Sequence, residues 1–424
     1  MAQVATNPNH KNKTSLIGGL RKCDMEDLRI LKIKDECTGG GACVSVCKKN
    51  ALSLQYDEEG FYYPFLNSDR CIGCGACERV CPVLNTSPNI QPEKKYHAYM
   101  LKANNKVKLK KSSSGGAFTL FAEQVLSNSG VIYGARYNYD KERLEHVSTD
   151  KYSLEELKKS KYIESFIDSE VFSDIEKHLV SGREVLFCGT PCQVKELRVY
   201  LTFKKIPLDK LFLVRFICHG VPSNLFFTEY KHYEEKKSGA KMSSIDFRSK
   251  ILGWGGEIFV CEFENGKRMK GYFRDFYYTN CFNSSLSLRK SCYSCKQILD
   301  EDVADITIGD FWGIKRYRPE MHDTEGVSLV MIHSDKGARL LDGIATSCKL
   351  EELPISCLDY IYREVDSKGI PLQNRDRLMS EVVKNGYMSA VKQYIGKSYW
   401  KYKIRDTLVF NFRLLKRVIQ DKKA

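Results

Sequence analysis

The sequence has no long run of apolar residues, and this absence limits where the protein can act. No stretch is long enough to cross a bilayer as a helix, and Met1–Ser15 is polar and lacks the apolar core of a secretory signal peptide. We therefore expect neither secretion nor a membrane span. The predicted location is the cytoplasm, whose reducing conditions keep cysteine thiols out of disulfide bonds.

Cysteine, in contrast, is abundant, with 17 copies in 424 residues. In a secreted protein this number would indicate disulfide bonds, but the chain shows no sign of secretion. Seven of the cysteines fall in two short bursts, from Cys37 to Cys47 and from Cys71 to Cys81. Such close spacing is typical of thiolates gathered around a metal. The two bursts also form a two-fold internal repeat.

The second burst has the spacing of a bacterial ferredoxin. Residues 71–82 read C-x2-C-x2-C-x3-C-P, in which three cysteines hold one cluster and the fourth holds its neighbour. Small residues between the cysteines let backbone amides approach the sulphides. A zinc site normally uses two CxxC pairs far apart in sequence, so a third cysteine at this spacing fits zinc poorly. The pattern predicts iron–sulphur chemistry.

The first burst keeps this register with one exception, because Gly40 stands where the second ligand belongs. Crossed ligation gives one complete 4Fe–4S cluster its four ligands: Cys71, Cys74, Cys77 and Cys47. The other cluster keeps three: Cys37, Cys43 and Cys81. Since glycine offers no side chain, one corner must lose its iron or take another ligand. We predict a 3Fe–4S or a labile 4Fe–4S centre there, and the alternative is a site that holds no cluster.

Strands and helices alternate beyond a linker over Asn85–Pro92, after a hairpin between the bursts. We predict helices over Gly116–Ser127, Ser153–Lys159, Val171–Val180 and Cys192–Tyr200, and from Ser380 onward. Buried strands are predicted over Val131–Tyr133, Val185–Phe187, Leu211–Ile217 and Val303–Ile308. Alternation of this kind favours an open, mixed sheet. The predicted fold class is α+β or α/β, with a dicluster ferredoxin-like domain followed by a mixed α/β domain.

Two loops present backbone N–H groups at the start of a helix. Ser112–Gly116 follows Lys110 and Lys111 and precedes an apolar helix, and Gly189–Gln193 joins a buried strand to a helix. Free N–H groups and the helix dipole favour a phosphate at such a position. Alone this is a weak signal, because Ser/Gly stretches are more often flexible linkers.

An ordered set of segments makes a family resemblance specific. They are Ser112–Phe118, Ser160–Tyr162 with Ser165, Val185–Gln193, Cys218–Gly220, Ser291–Cys295 and Ala304–Gly313. Together they resemble the coenzyme F-420 hydrogenase/dehydrogenase beta-subunit family, in its bacterial form with a fused ferredoxin module, from Cys37 to about residue 345. The resemblance implies an FAD-containing iron–sulphur oxidoreductase. Family members include deazaflavin-linked hydrogenase and formate dehydrogenase subunits, and bacterial relatives often accompany surface-polysaccharide genes.

The resemblance also implies which residues hold the cofactors. The implied flavin residues are Ser113, Ser114, Gly115, Gly116, Lys161, Tyr162, Gly189, Thr190, Pro191 and Gln193. A further 4Fe–4S cluster is implied at Cys192, Cys218, Cys292 and Cys295, where the last two form a CxxC chelate. Cys188 and Cys281 are spare candidates that fit small buried hydrophobic residues better.

The catalytic residue stays unknown from sequence, with His219 and Asp310 as candidates. His219 follows a proposed ligand and could donate a proton, although a lone histidine is more often structural. Asp305 and Asp310 bracket a strand end beside Phe311 and Trp312, and Trp254 could belong to a mobile cover. The alternative for these residues is turn chemistry with core aromatics.

The formal charge of +14 indicates an anionic partner. No nucleic-acid motif or aromatic–basic platform is recognisable, so we expect no nucleic-acid partner. An acidic ferredoxin or a similar redox carrier fits, because complementary charge speeds encounter. About half of the excess lies in Lys397–Ala424, with nine basic residues against Asp406 and Asp421. This tail predicts a basic amphipathic helix that either docks on the domain, which we favour, or makes weak peripheral contact with anionic membrane.

These observations predict an enzyme with five regions. They are a flexible leader (1–22), a ferredoxin-type domain (23–90), an α/β region (91–180), a second region with the further cluster (181–345) and a helical basic extension (346–424). Electrons would pass from ferredoxin or a reduced deazaflavin through 4Fe–4S clusters to FAD and a small-molecule substrate, in a reaction linked to surface polysaccharide. The alternatives are a non-catalytic electron-transfer subunit of a larger dehydrogenase and a flavin-free iron–sulphur interaction protein.

Overall fold

The computed structural model describes residues 28–85, 97–256, 258–272, 281–295, 303–354, 356, 372–395 and 398–421. The predicted leader and most of the predicted linker lie outside these ranges. No helix among the described residues combines the length and the apolar character that a bilayer crossing needs.

The N-terminal module is built around two short helices that repeat each other. Its elements are α1 (Arg29–Lys32), α2 (Ala42–Ser45), β1 (Leu52–Tyr56), β2 (Tyr62–Leu66) and α3 (Ala76–Arg79). Gly41 is the N-cap of α2 and Gly75 is the N-cap of α3. Both adopt the left-handed conformation, with φ of +89° and +68°. β1 and β2 pair antiparallel, which confirms the predicted hairpin. The two helices thus share a left-handed glycine at the N-cap, and this shared geometry corresponds to the two-fold repeat in the sequence.

Two sheets follow the N-terminal module. The remaining strands are β3 (His97–Ala103), β4 (Val131–Asn138), β5 (Arg143–Ser148), β6 (Ser165–Phe166), β7 (Val185–Gly189), β8 (Leu211–Phe216), β9 (Met242–Ser249), β10 (Ile258–Phe263), β11 (Arg268–Tyr272), β12 (Ile306–Asp310), β13 (Ser328–Ile332) and β14 (Cys348–Leu353). β9, β10 and β11 form a small antiparallel sheet. The other nine form one sheet in the order β14-β3-β13-β12-β8-β7-β4-β5-β6.

The large sheet is mixed, as the sequence predicted. β12, β8, β7 and β4 run parallel to one another at its centre, while β13 and β5 flank them antiparallel. The carboxyl ends of the four central strands therefore meet at one edge, which is where open α/β sheets bind ligands.

Helices cover both faces of the large sheet. The described helices beyond the N-terminal module are α4 (Lys106–Lys110), α5 (Ala117–Ser127), α6 (Leu154–Leu157), α7 (Ser169–Val180), α8 (Pro191–Phe203), α9 (Asn224–Ser238), α10 (Ile314–Tyr317), α11 (Asp335–Asp342), α12 (Leu372–Asn385), α13 (Tyr387–Ile395) and α14 (Ser398–Asp421). α5 and α11 pack on one face through Phe121 and Leu340. α7 and α8 pack on the other through Phe172 and Leu197.

The N-terminal module shares the core on the α7 and α8 face. Val46 and Val80 of the module lie in the same buried cluster as Phe172 and Leu197. Arg289 adds polar contacts, since its guanidinium donates to the carbonyl oxygens of Cys37 (2.7 Å) and Tyr62 (2.6 Å) and pairs with Glu164. The cysteine-bearing loops are thus fixed against the large sheet.

The last helix, α14, docks only part of its surface. Phe410 is buried with Ile258 and Val260 of the small sheet, and Leu414 packs against the same cluster. Among the other described apolar side chains of α14, the four most exposed are Ile404, Leu408, Phe412 and Leu415. Their spacing of four, four and three residues places them along one stripe of the helix.

Candidate iron–sulphur and cofactor site

The structure brings Cys47 to the second cysteine run, as crossed ligation requires. Cys47 and Cys74 both lie close enough to Cys77 to act on its pKa, which burial raises to about 11. Cys74 is exposed and Cys77 is buried. The ligands of the predicted complete cluster (Cys47, Cys71, Cys74 and Cys77) form the first thiol set, and the exposed Cys74 places this set at the surface of the module.

The second thiol set, which consists of Cys37, Cys43 and Cys81, gathers around Gly40. Cys37 and Cys81 are both electrostatic neighbours of Cys43, and burial raises the pKa of Cys81 to about 11. The carboxylate of Glu196, from α8, reaches into this set and accepts a hydrogen bond from the backbone N–H of Gly40 at 3.2 Å. Burial raises the pKa of Glu196. Sequence reasoning did not identify Glu196, because nothing in its local pattern connects α8 with the first cysteine run.

Iron suits these donor sets. Burial disfavours the thiolate form of Cys37, Cys43, Cys77 and Cys81, so the thiols stay protonated unless a cation compensates their charge. Thiolate ligands lose their protons when they bind a metal, and cluster iron supplies that positive charge. The residues present therefore fit the clusters that the cysteine spacing predicts.

A third set of four thiols comes together from three distant segments. Cys192 lies in the first turn of α8, Cys218 follows β8, and Cys292 and Cys295 lie in and after a 3-10 turn at Lys290–Ser294. Burial and its three neighbours Cys218, Cys292 and Cys295 raise the pKa of Cys192 well above its usual value. The set implied by the family resemblance is thus close in space.

A cavity of about 950 Å³ opens at the carboxyl edge of the parallel strands. Its lining includes Cys218 of the third thiol set, so cavity and thiols adjoin. Seven of the implied flavin residues also line it: Ser113, Ser114, Gly116, Lys161, Tyr162, Thr190 and Gln193. Gly115, Gly189 and Pro191 lie in the same loops without lining the cavity. A volume at the upper end of the usual ~300–1,000 Å³ for ligand sites suits a cofactor with a small molecule beside it.

The Ser/Gly loop is held against the sheet by its own side chains. Ser114 donates to the Val327 carbonyl oxygen at 2.7 Å, and Ser113 accepts from the Ser160 backbone N–H at 2.8 Å. A Cβ added at Gly115 would overlap the backbone of two neighbouring strands, and Gly116 adopts a φ of +95° where α5 begins. Lys250, which sequence reasoning missed, donates to the Ser114 carbonyl oxygen at 2.7 Å. The loop is a fixed start of α5 and not a flexible linker.

Lys161 brings a nitrogen of variable charge to the cavity. Its Nζ donates to the carbonyl oxygen of Lys158 at 2.6 Å. Desolvation lowers the pKa of Lys161 to about 7, because this effect outweighs the attraction of Asp246, which raises the pKa. Tyr162 lies beside it, with its ring edge on Phe247 and its hydroxyl 3.3 Å from Nη1 of Arg248. The pair offers both a cation and an aromatic surface.

The Gly189–Gln193 loop is part of a network centred on His146. Thr190 and Gln193 form a capping box at the start of α8, and Gln193 Nε2 donates to the Ser165 carbonyl oxygen at 3.2 Å. His146 accepts from the Ser165 hydroxyl (2.6 Å) and donates to the Cys188 carbonyl oxygen (3.1 Å), roles that its partners assign. Burial lowers its pKa to about 4, so the ring is neutral at pH 7. No motif marks His146 in the sequence.

The candidates His219 and Asp310 both line the cavity, and both have side-chain partners. His219 Nε2 lies 2.9 Å from the Ser285 hydroxyl. Asp310 accepts from Trp254 Nε1 at 2.6 Å and lies 3.4 Å from Arg248. These contacts favour a positioning role for Asp310, and the catalytic assignment stays a prediction.

Trp254 is a core aromatic in this structure. It is 3% exposed and stacks on Trp312 with ring centroids 4.6 Å apart. Arg248 lies over the other member of this pair, 4.8 Å from the Trp312 ring. This burial favours the alternative of a core aromatic for Trp254, whereas Trp312 is partly exposed. The mobile cover stays a prediction.

The spare cysteines occupy two different environments. Cys188 lines the cavity, and burial raises its pKa to about 12. Cys281 is buried among Tyr162 and other apolar side chains. Their burial fits the role of small hydrophobic residues.

Comparison with known proteins identifies two regions of the chain. Residues 36–85 match the family described as 4Fe-4S dicluster domain. Residues 182–356 match the family described as the C terminus of the coenzyme F420 hydrogenase/dehydrogenase beta subunit. No curated protein matches the chain. Among solved structures, the chain is similar to one from the F420-reducing [NiFe] hydrogenase complex from Methanosarcina barkeri, with 18% identity, a TM-score of 0.43 and coverage of 67% of this chain and 91% of that chain.

Proposed function

Since the chain is an iron–sulphur protein that joins a 4Fe-4S dicluster domain to the C-terminal domain of the coenzyme F420 hydrogenase/dehydrogenase beta-subunit family, we propose that it is a flavin-dependent oxidoreductase. The observation that carries the proposal is the contiguity of three thiol sets and one cavity. When bound, the clusters would relay single electrons and FAD would convert them into a two-electron transfer to the substrate.

The thiol sets lie in an order that suits this role. Cys74 is exposed, so the first set can receive electrons at the surface. Cys37 of the second set and Cys292 of the third set both lie close enough to Arg289 to act on the pKa of its guanidinium. The second and third sets are therefore neighbours. Cys218 of the third set lines the cavity.

The surface around the first set suits an acidic electron donor. Four exposed basic residues adjoin its cysteines in sequence: Lys48, Lys49, Arg70 and Arg79. Complementary charge of this kind raises the rate of encounter with an acidic carrier. We propose an acidic ferredoxin as the donor, and a reduced deazaflavin as the alternative.

The cavity residues of this chain would hold the cofactor and the substrate. The N-terminus of α5 with its Ser/Gly loop offers N–H groups to a phosphate, and Lys161 adds a charge that depends on pH. Neutral His146 fixes the Ser165–Cys188 wall. We propose a small molecule as the substrate and, from the bacterial relatives of the family, a link to surface-polysaccharide chemistry.

Reduction of bound flavin by a ferredoxin tests the proposal. Protein purified without oxygen should contain flavin, and reduced ferredoxin should bleach it. Cys74→Ser should slow this bleaching by about tenfold or more, because the exposed set loses a ligand. Cys348→Ser, a buried cysteine outside the three sets, should leave the rate unchanged.

Two outcomes would favour the alternatives. Iron-containing protein without flavin would favour an iron–sulphur interaction protein. Stable co-purification with a larger dehydrogenase, combined with no reaction of the chain alone, would favour a non-catalytic electron-transfer subunit.

A further inference from the structure

We propose that the carboxylate of Glu196 is the fourth ligand of the cluster held by Cys37, Cys43 and Cys81. It would take the place of the cysteine that Gly40 lacks. The inference rests on the cluster assignment within the proposed function, and it selects between the three-iron and four-iron forms that the cysteine spacing leaves open.

The position of the carboxylate is the first observation. A Cβ added at Gly40 would overlap it, with Oε1 2.6 Å away and Oε2 closer still. The side chain of a cysteine at residue 40 would begin in this space. Glu196 therefore occupies the place of the missing ligand side chain, and glycine is the residue that leaves room for it.

The hydrogen bonds of Glu196 leave one oxygen able to bind a cation. Oε1 accepts from the Thr38 hydroxyl (2.6 Å) and from the Gly40 N–H (3.2 Å). Oε2 accepts one longer bond, from the Ala42 N–H at 3.4 Å. Because each carboxylate oxygen has two acceptor sites, Oε2 retains one. It is also the oxygen nearest to the Gly40 Cβ position.

Burial makes a positive partner necessary for this carboxylate. Glu196 is 4% exposed, and no salt bridge joins it to a basic side chain of the described residues. Arg289, a buried cation that acts on Glu196, donates hydrogen bonds to the Cys37 and Tyr62 carbonyl oxygens and to the Glu164 carboxylate. A buried charge is normally paired or coordinates a metal. Cluster iron would meet that requirement.

The thiols near Glu196 belong to the incomplete set. Its carboxylate raises the pKa of Cys37, Cys43 and Cys81, which are the three remaining ligands. Cys192 lies four residues before it on α8, so the two side chains share one face of the helix about one turn apart. One helix would thus carry ligands to two neighbouring clusters. An oxygen ligand changes the potential of that cluster, as other non-thiolate ligands do.

Iron content and low-temperature EPR of oxidised, oxygen-free protein test the inference. The wild type should lack the isotropic signal of a three-iron centre. Glu196→Gln should gain that signal and lose about one iron per chain, because the amide is a weaker ligand. Gly40→Cys combined with Glu196→Ala should return the four-iron form, since the new cysteine then has room for its sulphur.

Two controls separate ligation from a purely structural role. Thr38→Val removes a hydrogen bond to Glu196 but keeps the carboxylate, so its iron content should match the wild type. Glu145→Gln, a buried glutamate paired with Arg136 and Arg143, should also match it. If Thr38→Val loses iron as Glu196→Gln does, the carboxylate only holds the loop and the inference is wrong.

The same measurement distinguishes this inference from the proposed function. Equal iron content and identical EPR spectra in the wild type and Glu196→Gln would contradict the inference alone. A wild type without iron would contradict the proposed function as well. Flavin content should stay unchanged in Glu196→Gln, because Glu196 does not line the cavity.

Discussion

Lys161 shows how the cavity changes the chemistry of a single residue. Its pKa falls to about 7 from the usual 10.5 because desolvation outweighs the attraction of Asp246. Between these two values the unfolded chain binds a proton that the folded chain does not. Its contribution to stability therefore rises with pH over this window and is least favourable below pH 7.

A phosphate bound beside Lys161 requires the protonated form, and this gives a prediction. FAD affinity should fall by up to about tenfold per pH unit above pH 7, since binding takes up one proton. Lys161→Met should flatten this dependence, while the exposed Lys151→Met should keep it. Fluorescence titration of flavin-depleted protein between pH 6 and 9 measures both, and a wild-type affinity independent of pH would contradict the assignment.

The sequence predicted most cavity residues that lie in compact motifs. Ser113, Ser114 and Thr190 lie in loops that the sequence marks as possible phosphate sites, and the family resemblance implies them as flavin residues. His146, Arg248 and Glu196 were missed, because each is isolated in sequence and reaches its site only through the arrangement of strands and helices. Sequence spacing can assign cysteine ligands, but a single carboxylate from a distant helix leaves no such pattern.

At the scale of elements, the loop before α5 packs tightly against the backbone of the large sheet. Gly115 packs so closely that any side chain would overlap the Leu101 carbonyl oxygen and the Ser328 backbone nitrogen. Both neighbours are sheet backbone and cannot move aside. The loop itself would have to shift.

Gly115→Ala should therefore reduce flavin content and cost about 1–3 kcal/mol of stability through overpacking. Gly255→Ala is the matched control, since nothing lies within 4 Å of its Cβ position. The flavin-to-protein ratio and the melting temperature report the two effects. Normal flavin content in Gly115→Ala would place the phosphate elsewhere.

The helix α14 combines a docked side with an exposed apolar stripe. Phe410 and Leu414 confirm that part of it packs on the domain, as the sequence favoured. Phe412 (69% exposed) and Leu408 (65% exposed) are available for a second contact. Basic residues beside the stripe suit anionic lipid.

We predict that the full chain floats with vesicles containing anionic lipid and that a chain stopped before Ser398 does not. Leu408→Gln with Phe412→Gln should abolish flotation without unfolding the protein, because both side chains are exposed. High salt should weaken flotation, since the basic residues supply part of the attraction. Equal flotation of the full and shortened chains would exclude this contact.

The elements that the sequence predicts correctly are those with strong local sequence patterns. The hairpin, α5, β7 and β8 lie where expected, whereas β4 extends to Asn138 and the predicted helix over Ser153–Lys159 is only α6. The helix α9 was missed because its buried side includes Lys231, which pairs with Glu142 and Glu235 at 2.7 Å. Buried charged residues interrupt the helical spacing of apolar residues from which a helix is predicted.

At the scale of the whole molecule, the N-terminal module and the large sheet form one packed unit. Arg289 joins them, because it is 1% exposed and binds the module through the carbonyl oxygens of Cys37 and Tyr62. Its partner Glu164 lies outside the module and accepts from the Tyr62 backbone N–H at 3.0 Å. A fixed distance between thiol sets depends on this joint.

Arg289→Met should destabilise the protein by about 3–5 kcal/mol, because it leaves the Glu164 carboxylate buried without its cation. The double variant with Glu164→Gln should recover part of the loss. Arg318→Met, which breaks the exposed pair with Glu351, should cost at most about 1 kcal/mol. Denaturant unfolding of oxygen-free protein measures all three, and equal losses in the first and third would contradict the role of the joint.

Iron, acid-labile sulphide and flavin per chain, measured on one sample, test the central claim most directly. Protein purified without oxygen from iron-replete cells should contain about twelve irons and as many sulphides, four for each of three thiol sets. It should also hold about one flavin. A colourless preparation without acid-labile sulphide would contradict the account, because the cysteines would then hold no clusters.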